Sequence, residues 1–507
     1  MKRCHSLWLC ALLALAGAGA PGQTTNDTLP ALQARLGALL DQPRFAQAQW
    51  GVKVLSLDSG RTIFERNAGK LLKPASNAKL YTAALALDRL GPDYRIKTSF
   101  YAAAKPDENG VIHGDLLVYG RGDPSFSARF NGGDYNKALL PALQALRAAG
   151  VRKIEGGVIG DESFFRGPPL GDDWTWEDLQ EYYGAPASAL SFQDNVIDLV
   201  FKPGRAVDAP CDILTMPQTS ILTFSNRTRT VPANEQGRIR IYRPVGETVV
   251  YVRGGVPLNS EGETGAVSVP RPALWFAAML KEGLAENGVA VTTGAREANW
   301  LDREVSPLPW SNLTEVAFVL SRPVSEIVKQ TLKPSENLYA QLLLLQVGAR
   351  AQAANSGSGR STEAAGLAEM QAFLREAGIA PNLAWLREGS GLSRAALITP
   401  NATVQLLAFM DRHRCRDAFI DALPVAGVDG TLRNRLKGTV AAGNIRAKTG
   451  SLAGVSALSG YLTTAANERW AFSIMLNNYH GTESAGSAAL DPFALALAAF
   501  TGHSAAP

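Results

Sequence analysis

The chain has 507 residues, 46% of them hydrophobic and 19% charged, with a formal net charge of +4. That length exceeds one ordinary core and predicts two or three domains, and the apolar content excludes global disorder. The charges are dispersed with no run of Lys or Arg, so composition points to neither a nucleic acid nor an anionic lipid as partner.

Lys2 and Arg3 precede an uncharged apolar stretch, Leu7 to Ala18, that ends in small residues with Ala16-Gly17-Ala18 or Ala18-Gly19-Ala20 as cleavage sites. This pattern predicts a secretory signal over residues 1–20, too short for a comfortable membrane span. Its removal, with Lys2 and Arg3, takes the formal charge from +4 to +2. No later segment is long and apolar enough to cross a bilayer, so the mature chain is expected to carry no integral membrane segment. Cys4 and Cys10 leave with the signal. Cys211 and Cys415 remain; their spacing matches no metal site, and two separate structural thiols are expected.

From Trp50 to Phe64 the residues alternate as in a strand and turn at Asp58-Ser59-Gly60, a hairpin. Lys73-Pro74-Ala75-Ser76 then leads into AKLYTAALALDRL, apolar at helical spacing and stopped by Gly91-Pro92. Residues 96–324 change texture. Short strand-like pieces (TSFYAAA, DLLVYG, GGVIGD, NVIDLVF, RIRIYRP, TVVYVRG) lie between Gly, Pro and Asp turns, a β-rich insertion expected to form two lobes. Helical spacing returns at Arg271–Asn287 and dominates from Val324. AQAANSGSGRST is a flexible connector before a helix over Glu363–Ala377, and RAKTGS, SALSGYLTT and WAFSIMLNN are three consecutive antiparallel strands.

Three short motifs occur in order: Ser76-Asn77-Ala78-Lys79, Ser335-Glu336-Asn337 and Lys448-Thr449-Gly450. Taken alone, the first reads as an N-cap Ser and a solvated Lys. At a helix start, though, free N–H groups favour negative charge, and Lys79 lies one turn from Ser76 on the same face. A neutral amine in a dry pocket can take a Ser proton without a His. Ser335, itself a good N-cap, and Asn337 follow Lys333-Pro334 and open the apolar run LYAQLLLLQV. The hydroxyl can relay a proton, and the amide can align substrate and hold Lys79. On a predicted strand, Lys448 and Thr449 offer a cation and a hydroxyl to a terminal carboxylate, and Gly450 leaves room for another chain at the strand edge. The N–H groups of Ser451 and Ser76 are candidates for an oxyanion hole. The joint pattern is the penicillin-recognising signature of serine acyltransferases. No H-E-x-x-H, G-x-S-x-G or C-x-x-C occurs and the five His are scattered, so neither a metal nor an organic cofactor is expected.

With these motifs the chain resembles the low-molecular-mass class C penicillin-binding proteins, the D-alanyl-D-alanine carboxypeptidase/endopeptidase family. GSGLSR (Gly389–Arg394), LPVAGVDGTLRNRLKGT (Leu423–Thr439), RAKTGSLAGVSALSGYLTT (Arg446–Thr463) and the long insertion add to the likeness. The resemblance implies a Ser76 nucleophile with Lys79 as base, and Ser335 and Asn337 assisting. Lys448, Thr449 and Ser451 would bind the substrate carboxylate and carbonyl. It also implies that Asp161, in VIGDESFF, and Arg394 meet the diamino-acid side chain of a peptidoglycan stem. Peptidoglycan peptides and β-lactams are the implied partners, and an exported, periplasmic enzyme, soluble or loosely membrane-associated, is the implied setting. Two departures, Glu388 where the family often has Asp and GRGDPSF where G-G-D-P-T-L is usual, leave substrate preference open. The tail DPFALALAAFTGHSAAP is not a basic amphipathic helix, so no C-terminal anchor is expected.

The expected fold is a mixed α/β, transpeptidase/β-lactamase-like domain: an antiparallel sheet flanked by helices. It is assembled from residues 24–95 and 325–507 and carries the 96–324 insertion. Two rivals stand beside the peptidase. A β-lactamase would need fast deacylation, and a peptidoglycan-binding scaffold without turnover would fail to acylate.

Overall fold

The computed structural model describes residues 27–354 and 359–504, so the signal reading on Lys2 to Ala20 lies outside the described residues. Five antiparallel strands form the central sheet in the order Arg446–Leu452, Val455–Thr463, Arg469–Asn477, Gln49–Ser56, Thr62–Arg66. The strand Gln49–Ser56 pairs with Arg469–Asn477 along its whole length, from Gln49 opposite Asn477 to Ser56 opposite Trp470. Both ends of the chain therefore meet in one sheet.

The run WAFSIMLNN is apolar from Trp470 to Leu476 apart from the buried Ser473 because this strand is covered on both faces. Trp470, Phe472, Ile474 and Leu476 face a core closed by the first and last helices, Leu29–Leu40 and Glu483–Ala498. Ala471 and Met475 face the opposite core, where the helices Ala78–Arg89, Asn337–Ala354, Thr362–Glu376 and Pro400–Asp411 pack. The helix Ala78–Arg89 is buried on nearly every side, Ala78 through Leu87 without interruption, which explains its Ala-rich composition: small side chains let sheet and neighbouring helices approach together.

All six strand-like pieces of the insertion lie on strands. Five of its strands form a mixed sheet in the order Ala295–Ala298, Val158–Asp161, Leu116–Tyr119, Lys97–Ala102, Thr314–Leu320. Three three-stranded sheets complete the insertion. Trp275 and Phe276 of the helix Pro272–Glu286 plug a single apolar cluster running from Phe100 to Val289. The helix Leu140–Ala148 is not anticipated by the strand pattern of this stretch. Cys211 lies in the insertion core and Cys415 in the helical core, both buried and free. Among the described residues no helix is long and apolar enough to cross a membrane.

Phe472 is fully buried in the strand that joins the two chain ends. Phe472→Ala is expected to lower stability by about 3–5 kcal/mol, read from the denaturant midpoint; an unchanged midpoint would mean that this face of the sheet is not load-carrying.

Candidate active site

Ser76 is not an N-cap. It lies inside a 3₁₀ turn, Ala75–Asn77, that runs directly into the helix Ala78–Arg89, with Ala75 at φ +47°. That left-handed backbone is costly for a residue with a Cβ and persists only where the surroundings enforce it. They do so from three sides. Asn77 Nδ2 donates to Ser459 Oγ at 2.7 Å, tying the turn to the central sheet. A Cβ on Gly450 would lie 2.7 Å from the Pro74 carbonyl, and one on Gly391, at φ +82°, would lie 2.0 Å from the Ala75 carbonyl. The close approach that Gly450 permits is therefore that of the turn carrying Ser76, in addition to any substrate passing the strand edge. The GSGLSR loop and the Lys448-Thr449-Gly450 strand clamp Ser76 between them.

Lys79 is fully buried one turn on, and its Nζ has three partners: Ser76 Oγ at 2.7 Å, Asn337 Oδ1 at 2.6 Å and the Ser390 carbonyl at 2.8 Å. Burial pushes this amine down to about 8, opposed by the negative charges of Glu388 and then Glu336. Asn337 Nδ2 donates to the Tyr183 carbonyl at 2.8 Å, which turns its oxygen toward Lys79. An amide oxygen and a backbone carbonyl accept only, so a neutral Lys79 has its lone pair free only toward the Ser76 hydroxyl.

Ser335 sits at φ +71°, two residues before the helix Asn337–Ala354, and does not cap it. Its hydroxyl accepts from Lys448 Nζ at 2.8 Å, and the same amine donates to the Thr449 carbonyl at 2.8 Å. Lys448 is fully buried, and burial, with the neighbouring Lys79 charge, holds it well below an ordinary lysine. Thr449 Oγ1 donates to Thr431 Oγ1 at 2.8 Å. The three motifs thus form one connected polar array.

A cleft of about 530 Å³ opens over this array, lined by Ser76, Ser335, Asn337, Thr449 and Ser451. Lys79, Lys448 and Gly450 lie beneath its floor. Arg394 lines the cleft but Asp161 does not. Asp161 ends the insertion strand Val158–Asp161, is fully buried and accepts from Arg303 Nε at 2.6 Å, an internal ion pair. The structure does not bring Asp161 to the cleft beside Arg394, as the resemblance implied: a carboxylate at a strand end looks the same in sequence whether it faces a cleft or a neighbouring Arg. The acid beside Arg394 is Asp178, 3.3 Å from Arg394 Nη1 and anchored by the Thr175 N–H and hydroxyl at 3.0 and 2.7 Å. Asp178 lines the cleft together with Tyr182 and Tyr183. Its segment, WTWEDLQEYYG, has no strand or helix period, and its density of aromatic and acidic residues is the one signal available in the sequence.

Glu388, seen in the sequence only as a departure from the family's usual Asp, has a structural part here. Its buried carboxylate accepts from the N–H groups of Ser390 and Gly391, both at 2.6 Å, and so shapes the loop whose Ser390 carbonyl holds Lys79. Glu336, between the two motif residues, is buried and pushed up to about 7 by burial and the Asp194 charge, while Arg129 at 3.1 Å opposes the rise. Among the described residues no group of three His, Cys, Asp or Glu is placed to hold a metal ion.

Known proteins resemble this chain along most of its length. The family model of the D-Ala-D-Ala carboxypeptidase 3 (S13) family matches residues 32–499. The chain is 34% identical to a D-alanyl-D-alanine carboxypeptidase of Actinomadura sp. (strain R39), over 97% of this chain and 89% of that one. It is 26% identical to the D-alanyl-D-alanine carboxypeptidase DacB of Haemophilus influenzae, over 84% of each chain. The crystal structure of penicillin binding protein 4 (dacB) from Haemophilus influenzae superposes with a TM-score of 0.75 at 24% identity, covering 90% of this chain and 97% of that one, and shares the fold.

The charge of Glu388 raises the Lys79 amine against its burial. Glu388→Gln is expected to move the Lys79 pKa below about 8, followed by NMR titration of the labelled lysine side chain; an upward shift would contradict this electrostatic account.

Proposed function

Because the chain belongs to the D-Ala-D-Ala carboxypeptidase 3 (S13) family, we propose that it is an exported serine D-alanyl-D-alanine carboxypeptidase and endopeptidase. In this reading it cleaves peptidoglycan stems and cross-links through a Ser76 acyl-enzyme and is inhibited by penicillin. The observation that carries the reading is the Lys79 amine, lowered to about 8 and 2.7 Å from Ser76 Oγ, with its other two positions held by acceptors.

Ser76 Oγ attacks the carbonyl carbon of the penultimate D-alanine as its proton passes to Lys79. The N–H groups of Ser76 and Ser451 receive the oxyanion. The C–N bond then breaks, and the terminal D-alanine leaves with a proton relayed through Ser335, which Lys448 holds in place. Lys79, its first proton passed on through Ser335, deprotonates the water that cleaves the ester and then returns that proton to Ser76 Oγ. Thr449 and Ser451 offer hydroxyls to the terminal carboxylate, whose negative charge near Lys448 favours that amine's protonated form. For a cross-link the departing amine is the side-chain nitrogen of the second stem instead of a free D-alanine, and the steps are the same.

Arg394 and Asp178, opposite charges in one cleft wall, suit a diamino-acid side chain bearing both an ammonium and a carboxylate. In this reading Asp178 takes the place that the family resemblance implied for Asp161.

Acylation requires neutral Lys79, so its second-order rate with penicillin is expected to rise about tenfold per pH unit below pH about 8 and to level off above it. Lys79→Arg, whose guanidinium stays protonated, is expected to lose at least about a hundredfold in acylation rate across that range. A flat profile, or an active Lys79→Arg, would name another base.

Arg394→Ala is expected to weaken hydrolysis of a meso-diaminopimelate stem by on the order of 1.5–3 kcal/mol, measured as kcat/KM. A stem lacking the side-chain carboxylate should lose little further. Equal losses on both peptides would assign Arg394 a structural role.

A further inference from the structure

One feature of the insertion lies outside the cleft and its chemistry. The strands Thr223–Val231, Val249–Pro257 and Arg238–Tyr242 form a three-stranded sheet with Val249–Pro257 in the middle. Its register places Arg227 and Arg240 on either side of Arg253, Tyr242 opposite Tyr251, and Arg229 and Arg238 on either side of Gly255. Side chains alternate faces along a strand, so five arginines and two tyrosines share one face. The other face carries Val250 and Val252, with Ile239 and Ile241, against the insertion core. All five arginines are exposed, Tyr242 and Tyr251 are 49% and 41% exposed, and the two rings stack at 6.4 Å.

Arginines directly opposite one another repel, and neutral or acidic neighbours would suit the sheet better. Among the described residues Arg227, Arg238, Arg240 and Arg253 make no side-chain hydrogen bond or ion pair, and Arg229 reaches only Asp208, at 3.8 Å. Other exposed arginines of the insertion do have an acidic partner, as Arg296 has Asp115 and Arg271 has Glu297. Unpaired guanidiniums in a row on a rigid sheet are preorganised for an anion supplied from outside.

We propose that this sheet face is a docking surface for polymeric peptidoglycan, its arginines pairing with stem-peptide carboxylates and its tyrosines lying against the sugar rings. This rests on the cell-wall substrate proposed above. A polymer with repeated carboxylates and pyranose faces matches both the row of cations and the aromatic plate. A bilayer would match the cations, but it favours aromatic side chains that project into it rather than rings stacked on each other along a sheet. None of the seven residues lines the catalytic cleft, so the face adds a second point of attachment that raises the local concentration of stems near Ser76.

The test is co-sedimentation of the full chain with insoluble purified sacculi, using Ser76→Ala to prevent digestion, with and without Arg240→Gln and Arg253→Gln. Removing these cations is expected to weaken retention at low salt at least ~tenfold and to flatten its salt dependence. In the Ser76 background, hydrolysis of a soluble stem peptide should be unaffected by the two Gln substitutions, which also reports that the variant folds. Equal retention with and without them overturns the proposal. So does loss of binding to phosphatidylglycerol vesicles with sacculus binding unchanged, which would make the face a membrane surface. If the soluble peptide is hydrolysed by neither protein while sacculus retention still differs, the catalytic reading fails and the docking surface stands.

Discussion

Removing the Lys79 ammonium from water sets the requirements for the rest of the site. An isolated buried cation is costly, and a buried amine answers by giving up its proton unless partners restore the balance. Here the balance is struck by three acceptors drawn from three distant segments, Ser76, Asn337 and the Ser390 carbonyl, and by the Glu388 and Glu336 charges just beyond them. The amine is left near 8, low enough to act as a base and high enough to be reprotonated. Each acceptor imposes a structural demand: a strained turn for Ser76, an amide turned by the Tyr183 carbonyl, and a loop wrapped on the Glu388 carboxylate.

Those demands tie the insertion to the catalysis. Tyr183 orients Asn337, Asp178 and Tyr182 form part of the cleft wall, and Arg129 lies against Glu336 in the second motif. The β-rich segment between the first two motifs is therefore a wall of the active site as well as a carrier of its own sheets. The central sheet, closed by strands from both ends of the chain, holds the opposite wall through Lys448 to Ser451.

Much of this was legible from residue order, because local periodicity and motif chemistry are local properties. Apolar runs such as WAFSIMLNN marked strands buried on both faces, and the three motifs named the residues that the structure joins in one array. What escaped depends on tertiary neighbours. Asp161 and Asp178 are both acids next to turns, and only packing shows that one faces Arg303 and the other Arg394. Glu388 shows in the sequence only as a departure from the family's Asp until its loop folds over it, and residue order does not show the Pro74 carbonyl that packs beside Gly450. Dispersed charge in the sequence likewise hid the arginine face, because its five members come from three strands.

The central claim is that Ser76 is the atom donor to an acyl-enzyme. Its most direct test is reaction of the purified protein with benzylpenicillin, followed by intact mass measurement and peptide mapping. The account predicts one penicilloyl group per chain, located on the peptide containing Ser76 and absent from Ser76→Ala. An adduct on any other residue, or undiminished labelling of Ser76→Ala, would contradict it.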